Sequence, residues 1–206
     1  MSKLVKKLKT KVENNKIEKK AKLLNSAYKL YSEKGINNTS IQDIAEDAGV
    51  AKGTFYLYFK DKYDLQEKLV IQKSNELFNN ALNKLNISVI NKFDDQLVFI
   101  IDNVIDELNS NPDLIKIIYK DLSLAFYNDG INYLLDDEEN QIYKTFMRGI
   151  EENNIKLDNP NITFYMIIEL VSSTVFNSII KNIPAPIDEY KPYLYQIIRT
   201  ILNEKN

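Results

Sequence analysis

Residues 39–65 read TSIQDIAEDAGVAKGTFYLYFKDKYDL. Thr39 followed three residues on by Gln42 has the pattern of a capping box, and predicts a short helix whose apolar side is Ile41, Ile44, Ala45 and Ala48. Gly49 closes that helix after barely two turns. Val50 follows as a small apolar plug, and a second short helix from Ala51 or Lys52 turns Phe55 and Phe59 inward. Two short helices about a tight glycine turn make a helix-turn-helix. The outer face of the second helix combines a cation, a position without a side chain, a hydroxyl and two phenols: Lys52, Gly53, Thr54, Tyr56 and Tyr58. In a helix that enters the major groove by its N-terminal end, Lys52 and Thr54 reach phosphates or base edges, and Gly53 lets the backbone come close. Tyrosine hydroxyls can donate to phosphate oxygens while their rings meet thymine methyls. Asp61 then caps a further helix, whose first-turn Lys62 directs its charge, together with the helix dipole, at the same backbone. The competing reading of Tyr56 and Tyr58, taken as an isolated pair, is two half-buried aromatics.

Upstream, Ile17, Ala21, Leu24, Tyr28 and Tyr31 recur at steps of four and three, and Lys34 and Gly35 supply the last-turn cation and left-handed cap of a helix. Leu4, Leu8 and Val12 repeat among many lysines, so residues 1–16 are expected to form a basic N-terminal arm or an extension of that helix. The charge is lopsided. Residues 1–65 hold fourteen Lys against eight Asp and Glu, a net of +6, whereas the remaining chain holds 13 basic and 21 acidic side chains, a net of -8. One end meeting a polyanion explains such an imbalance; a solvated lysine face is the commoner cause of any single run.

Downstream, helical periodicity continues. Leu97, Ile100, Ile101, Val104, Ile105 and Leu108 form one stripe, Asn111-Pro112 begins the next helix, and a charged helix covers about Asp137 to Asn153. Asn159-Pro160 opens an apolar helix running to about Lys181, and a last helix starts near Asp188. The chain is therefore all-α, with about nine helices. It has no Cys and no His, which removes disulfides, the usual metal ligands and the common nucleophilic triads; no metal or cofactor is expected. The acids Asp136, Asp137, Glu138 and Glu139 favour a solvated helix start over acid-base catalysis, so an enzyme is not expected. No apolar N-terminal stretch resembles a signal peptide. Thr163 to Ile180 is interrupted by Glu169, Ser172, Ser173 and Asn177 and reads as a buried helix, so a cytoplasmic protein without a membrane partner is expected.

Thr39-Ser40, Ala48-Gly49-Val50, Gly53-Thr54-Phe55-Tyr56-Leu57-Tyr58-Phe59 and Lys60-Asp61-Lys62 follow one another without a gap, and in this the chain closely resembles the TetR (tetracycline-repressor) family. The resemblance covers roughly residues 17–70, about a quarter of the chain. It implies DNA contacts at Thr39, Ser40, Lys52, Gly53, Thr54, Tyr56, Tyr58 and Lys62, with Gln42 at a position that sometimes reads a base. Ala51 departs from the Ser or Asp that many members place as the recognition-helix cap, at a local cost of about 1 kcal/mol.

The resemblance further implies a three-helix helix-turn-helix domain at 17–61 and a helical ligand-binding and dimerisation domain at 62–206, joined by a fourth helix over about 62–84. The Thr163 to Lys181 helix is apolar on more than one stripe. It needs cover on two sides, one supplied by its own core and one by a symmetry mate, with the last helix completing an intermolecular four-helix bundle. Val171, Val175, Ile179, Leu194, Ile198 and Ile201 are the expected homodimer contacts. For a small-molecule effector, Phe99, Tyr119, Phe126, Tyr143, Phe146, Met147 and Tyr165 are the candidate lining, the alternative being ordinary core. With only Arg148 and Arg199 in the chain, no arginine cluster announces a phosphorylated effector, and a lipophilic one is expected. The functional expectation is a repressor released from a palindromic double-stranded operator by such a molecule. The rival is a helical interaction protein that never touches DNA.

Overall fold

The computed structural model describes residues 3–119 and 141–203, with side chains from residue 14 onward. Nine helices and no strand occur among the described residues: α1 (Lys3–Lys34), α2 (Ile41–Asp47), α3 (Lys52–Phe55), α4 (Lys62–Asn86), α5 (Phe93–Ser110), α6 (Pro112–Ile118), α7 (Gln141–Glu152), α8 (Pro160–Lys181) and α9 (Ile187–Asn203). The chain divides into two compact units, Met1–Leu69 and Val70–Asn206. The boundary falls inside α4, eight residues beyond the 61/62 junction expected above.

The helix ends follow from local chemistry. Gly35 and Gly49 take φ of +77° and +66°, where a Cβ would be strained. Asn111 and Asn159 cap α6 and α8 by accepting from the Leu114 and Ile162 amides at 3.1 Å, each with a proline at the first helical position. Asp61 caps α4 by accepting from the amides of Tyr63 and Asp64 at 2.8 and 2.9 Å.

In the first unit, α1 packs on α2 and α2 on α3. The basic N-terminal stretch is helical from Lys3 and continuous with the rest of α1, since no Gly or Pro interrupts residues 3–34. The buried stripe of α1 is Leu23, Leu24, Ala27 and Tyr31, whereas Ile17 is 64% exposed and Ala21 is exposed too. The core of this unit is completed by Ile44, Ala45, Phe55, Phe59 and Leu65.

In the second unit, α5 packs on α6, α7, α8 and α9, and α8 packs on α6, α7 and α9 as well. Polar ties fasten α9 to α5: Lys191 bridges Asp102 and Asp106, the Tyr195 hydroxyl donates to Asp102, and Arg199 pairs with Asp95 at 2.8 Å. Burial alone would raise the Asp102 carboxyl, but the bonds from Lys191 and Tyr195 outweigh it and hold it below the usual range. α8 is long and apolar enough to cross a membrane by length and composition. Yet it buries Phe164, Ile167, Ile168, Val171, Ser172, Val175 and Ser178, a stripe at helical spacing, against its own chain. Its other side leaves Ile162, Tyr165, Met166 and Ile180 exposed.

Candidate nucleic-acid interface

The second helix of the helix-turn-helix is short. α3 spans four residues, and the chain continues as a tight turn in which Leu57, Tyr58 and Phe59 donate to Thr54, Phe55 and Phe55 at 3.2, 3.0 and 3.0 Å. Phe55 is fully buried and Phe59 2% exposed, their rings 5.5 Å apart. These two anchors decide which side faces out. Lys52 and Gly53 are exposed, Tyr56 is 54% exposed, and Thr54 and Tyr58 are half-buried. Gly53 has ordinary backbone torsions, and a Cβ built on it would meet nothing within 4 Å. Neither conformation nor packing within the chain requires a glycine there. Ala51 caps α3 without a side-chain hydrogen bond, as its identity dictates.

The start of α2 differs from the expected capping box by one residue. Ser40 is the N-cap: its hydroxyl accepts from the Asp43 amide at 3.1 Å and its own amide donates to the Asp43 carboxylate at 3.1 Å. Thr39 is 1% exposed and donates to the Gly35 carbonyl at 2.8 Å, closing the end of α1. Its side chain is thus turned into the end of α1 and away from solvent. Gln42, freed from capping, is exposed and donates to Glu46 at 2.6 Å. The ammonium of Lys34 beside Asp43, with the Ser40 amide, lowers that carboxyl from 3.8 to about 2.

Lys62 also corrects the expectation. Its ammonium donates to the carbonyls of Ile36, Asn37 and Thr39 at 2.9, 3.4 and 3.2 Å, so it clasps the α1–α2 turn instead of reaching outward. The buried Tyr31 hydroxyl donates to the Lys62 carbonyl at 3.0 Å, and burial, then the charge of Asp61, pushes its pKa above the ordinary value of 10.0. Lys29 and Lys34 are paired with Asp47 and Asp43 at 2.6 and 2.7 Å. Lys60, absent from the expected set, is exposed and, like Lys52, makes no salt bridge among the described residues. Its place just past the aromatic anchors was the signal for it.

In the second unit the expected ligand lining is largely displaced. A cavity of about 40 Å³ is walled by aliphatic and phenylalanine side chains, among them Phe78, Ile101, Ile142, Phe146 and Phe164, with Ser172 the one polar residue among the described residues. Of the six expected residues that are described, Phe146 alone lines it. Phe99 lies in a surface groove with Asp95 and Arg199. Tyr119 stacks on Phe176 with centroids 3.6 Å apart, Tyr143 donates to Asn161 at 2.5 Å, Met147 is half-buried and Tyr165 is 41% exposed. Phe126 lies outside the described residues.

The expected dimer contacts need the same correction. Val171, Val175, Leu194 and Ile198 are buried within a single chain, and Ile179 and Ile201 are half-buried. The apolar residues left uncovered on the same two helices are Ile162, Tyr165, Met166 and Ile180 on α8 and Tyr193 and Ile197 on α9.

Residues 23–69 match the model of the tetR family of bacterial regulatory proteins. Those residues, which hold α2, α3 and the end of α1, are therefore a DNA-binding segment of the TetR type. The HTH-type transcriptional regulator YuxN of Bacillus subtilis is 30% identical over 116 residues, which are 53% of this chain and 37% of that relative. The match therefore spans little more than a third of YuxN. An HTH-type transcriptional regulator of Staphylococcus aureus is 26% identical over 181 residues, 87% of this chain and 92% of the relative. The fold is also that of the transcriptional regulator FadR from Bacillus subtilis, solved in complex with stearoyl-CoA, at a TM-score of 0.60 and 18% identity over 89% of this chain and 99% of FadR. The matched segment is thus similar to that of DNA-binding regulators, and the relatives it aligns with are HTH-type transcriptional regulators.

Proposed function

We propose that this chain is a TetR-family regulator that acts as a homodimeric repressor, holds a palindromic operator and is released from it by a small lipophilic molecule. The observation that carries the DNA reading is the outward set on α3: Lys52, a glycine that its own chain does not require, and Tyr56, mounted on the buried Phe55 and Phe59. Ser40, Gln42, Thr54 and Tyr58 complete the DNA-contact set, while Thr39 and Lys62 position it through the α1–α2 turn. Two such units in a dimer would meet major-groove turns roughly 34 Å apart.

The uncovered apolar residues of α8 and α9 support a four-helix interface between two copies, through the faces opposite those packed in the chain's own core. Met166→Asp with Ile197→Asp should yield folded monomer in sedimentation, whereas Leu194→Asp should unfold the second unit.

For the effector, the wall composition of the cavity supports an uncharged, apolar moiety, and the stearoyl-CoA complex of FadR is consistent with lipophilic effectors on this fold. Ligand pockets commonly measure roughly 300–1,000 Å³, so the effector must open the cavity on entry. Phe78 of α4 is part of the wall and Lys62 of α4 clasps the α1–α2 turn, so opening transmitted along α4 would disturb the reading head. The effector must bind the DNA-incompetent form more tightly, and operator must weaken effector binding by the same factor.

The test is selection from a pool of random and genomic duplexes at two salt concentrations. An enriched palindrome, bound less tightly as salt rises, is the expected result. Folded, refolded protein that selects no sequence even at low salt would overturn the DNA reading.

A further inference from the structure

The positive charge of the first unit is unevenly placed within it. Residues 3–22 carry nine lysines against Glu13 and Glu18, a net of +7. Residues 23–65, which hold the whole helix-turn-helix, carry five lysines against six acids, a net of -1. Of those five, Lys29 and Lys34 are in salt bridges and Lys62 is spent on three carbonyls, which leaves Lys52 and Lys60. Duplex DNA carries one negative charge per roughly 1.7 Å of axis, and phosphate neutralisation supplies most non-specific affinity. A reading head with net negative charge and two uncommitted lysines is poorly provided for that.

The extension of α1 has what the head lacks. Every residue from Asn14 to Lys22 is exposed, so this stretch packs no face against its own chain. Helices without a packed face are marginal in water. A merely solvated face would intersperse acids with its lysines, yet among the described residues the extension makes a single such pair, Lys22 with Glu18 at 2.7 Å. The extension is continuous with the buried stripe of α1, so its direction is fixed by the same helix that supports α2. Twenty residues of helix span about 30 Å, close to one turn of duplex.

We propose that the lysine-rich extension of α1, with Lys16, Lys19 and Lys20 at its described end, is a second DNA-binding surface that grips the phosphates of duplex flanking the operator. It rests on the operator reading above and adds affinity without base specificity. The partner is the same duplex, because the extension and the reading head belong to one helix-built unit.

The experiment compares the full chain, the Lys16→Gln, Lys19→Gln, Lys20→Gln triple variant and a chain lacking residues 2–16, on the selected operator with and without flanking duplex, over a range of salt. Glutamine keeps the helix and removes only charge. Each lost phosphate contact lowers the slope of log affinity against log salt by about 0.9. The triple variant should lose about two units of slope or more, and both variants should lose at least about tenfold in affinity at moderate salt on the flanked duplex. Removing the flanks should weaken the full chain and leave the shortened chain unchanged. The melting temperature of the triple variant should be unaltered, since Lys16, Lys19 and Lys20 are exposed. Variants that keep both slope and affinity would overturn this proposal alone and leave the operator reading standing. The same result with extension-dependent binding to phosphatidylserine vesicles would assign the extension to a membrane surface instead. A full chain that selects no operator fails the reading on which this proposal rests, and this proposal with it.

Discussion

The two units expose opposite kinds of surface. In Met1–Leu69 the buried phenylalanines of the α3 turn hold outward a cation, a bare backbone and a phenol that touches Phe55 only by its edge. In Val70–Asn206 the uncovered positions of α8 and α9 are isoleucine, methionine and tyrosine, the same material as the core they back onto. A polar surface the fold does not need calls for a polar, charged partner, and an apolar surface left over from a core calls for another apolar surface. The difference separates residues that can be changed without loss of stability from those that cannot, and adjacent pairs in the chain show it.

The largest contrast is between Phe55 and Tyr56. Phe55→Ala should cost about 3–5 kcal/mol of stability, read in denaturant melts. Tyr56→Ala should change stability by about 0.5 kcal/mol or less and weaken operator binding by about 1–3 kcal/mol. If Tyr56→Ala leaves binding intact, the outward face is not the reading face.

Lys62→Met tests whether that lysine belongs with the inner or the outer set. Loss of charge-assisted bonds to three carbonyls should destabilise the first unit by about 1.5–3 kcal/mol, visible as lost amide protection at residues 36–39. A variant that melts normally but binds DNA weakly would return Lys62 to the outer set.

The glycines sharpen the same division. A Cβ at Gly149 would overlap the ring of Phe93, so Gly149→Ala should cost about 1–3 kcal/mol. Gly53→Ala should be neutral or stabilise by up to about 1 kcal/mol, because the added methyl meets nothing and alanine favours helix, while operator affinity falls about tenfold. Equal affinity for wild type and Gly53→Ala would show that DNA never approaches this backbone.

The smallest effect is that of Asp43. Its carboxyl titrates at about 2 in the folded chain against an ordinary 3.8, so the pair with Lys34 and the cap on Ser40 stabilise the unit above the higher value and are lost as pH falls toward the lower. Melting temperature should therefore decline through that acidic window, and Asp43→Asn should flatten this part of the decline. An unchanged acid limb would remove Asp43 from the account.

The helix boundaries were legible because their punctuation is local. Gly35 and Gly49 at positive φ, Asp61 at a cap, and two asparagine-proline starts each act within a few residues. Thr39 and Ser40 show where that stops. Both are hydroxyl residues able to cap, and the choice turns on Thr39 being enclosed by the end of α1, a tertiary fact. Lys62 is similar, since a first-turn lysine can face solvent or fold back on carbonyls. On α8 the difficulty is uniformity: a helix apolar nearly all round has no unique inward stripe, so Val171 and Val175 could be taken for interface when they are core. The expected lining gave weight to aromatic rings and Met147, whereas the cavity is walled mainly by aliphatic carbon.

The clasp at the start of α4 has a mechanical consequence. The helix contains no Gly or Pro from Lys62 to Asn86. Its first turn is fastened to the α1–α2 loop by the Lys62 ammonium and the Tyr31 hydroxyl, so there is no slack at that joint. Any turn of the first residues of α4 is thus carried whole to the loop that holds Ser40, and stiffness at this joint, not softness, is what would make the reading head responsive.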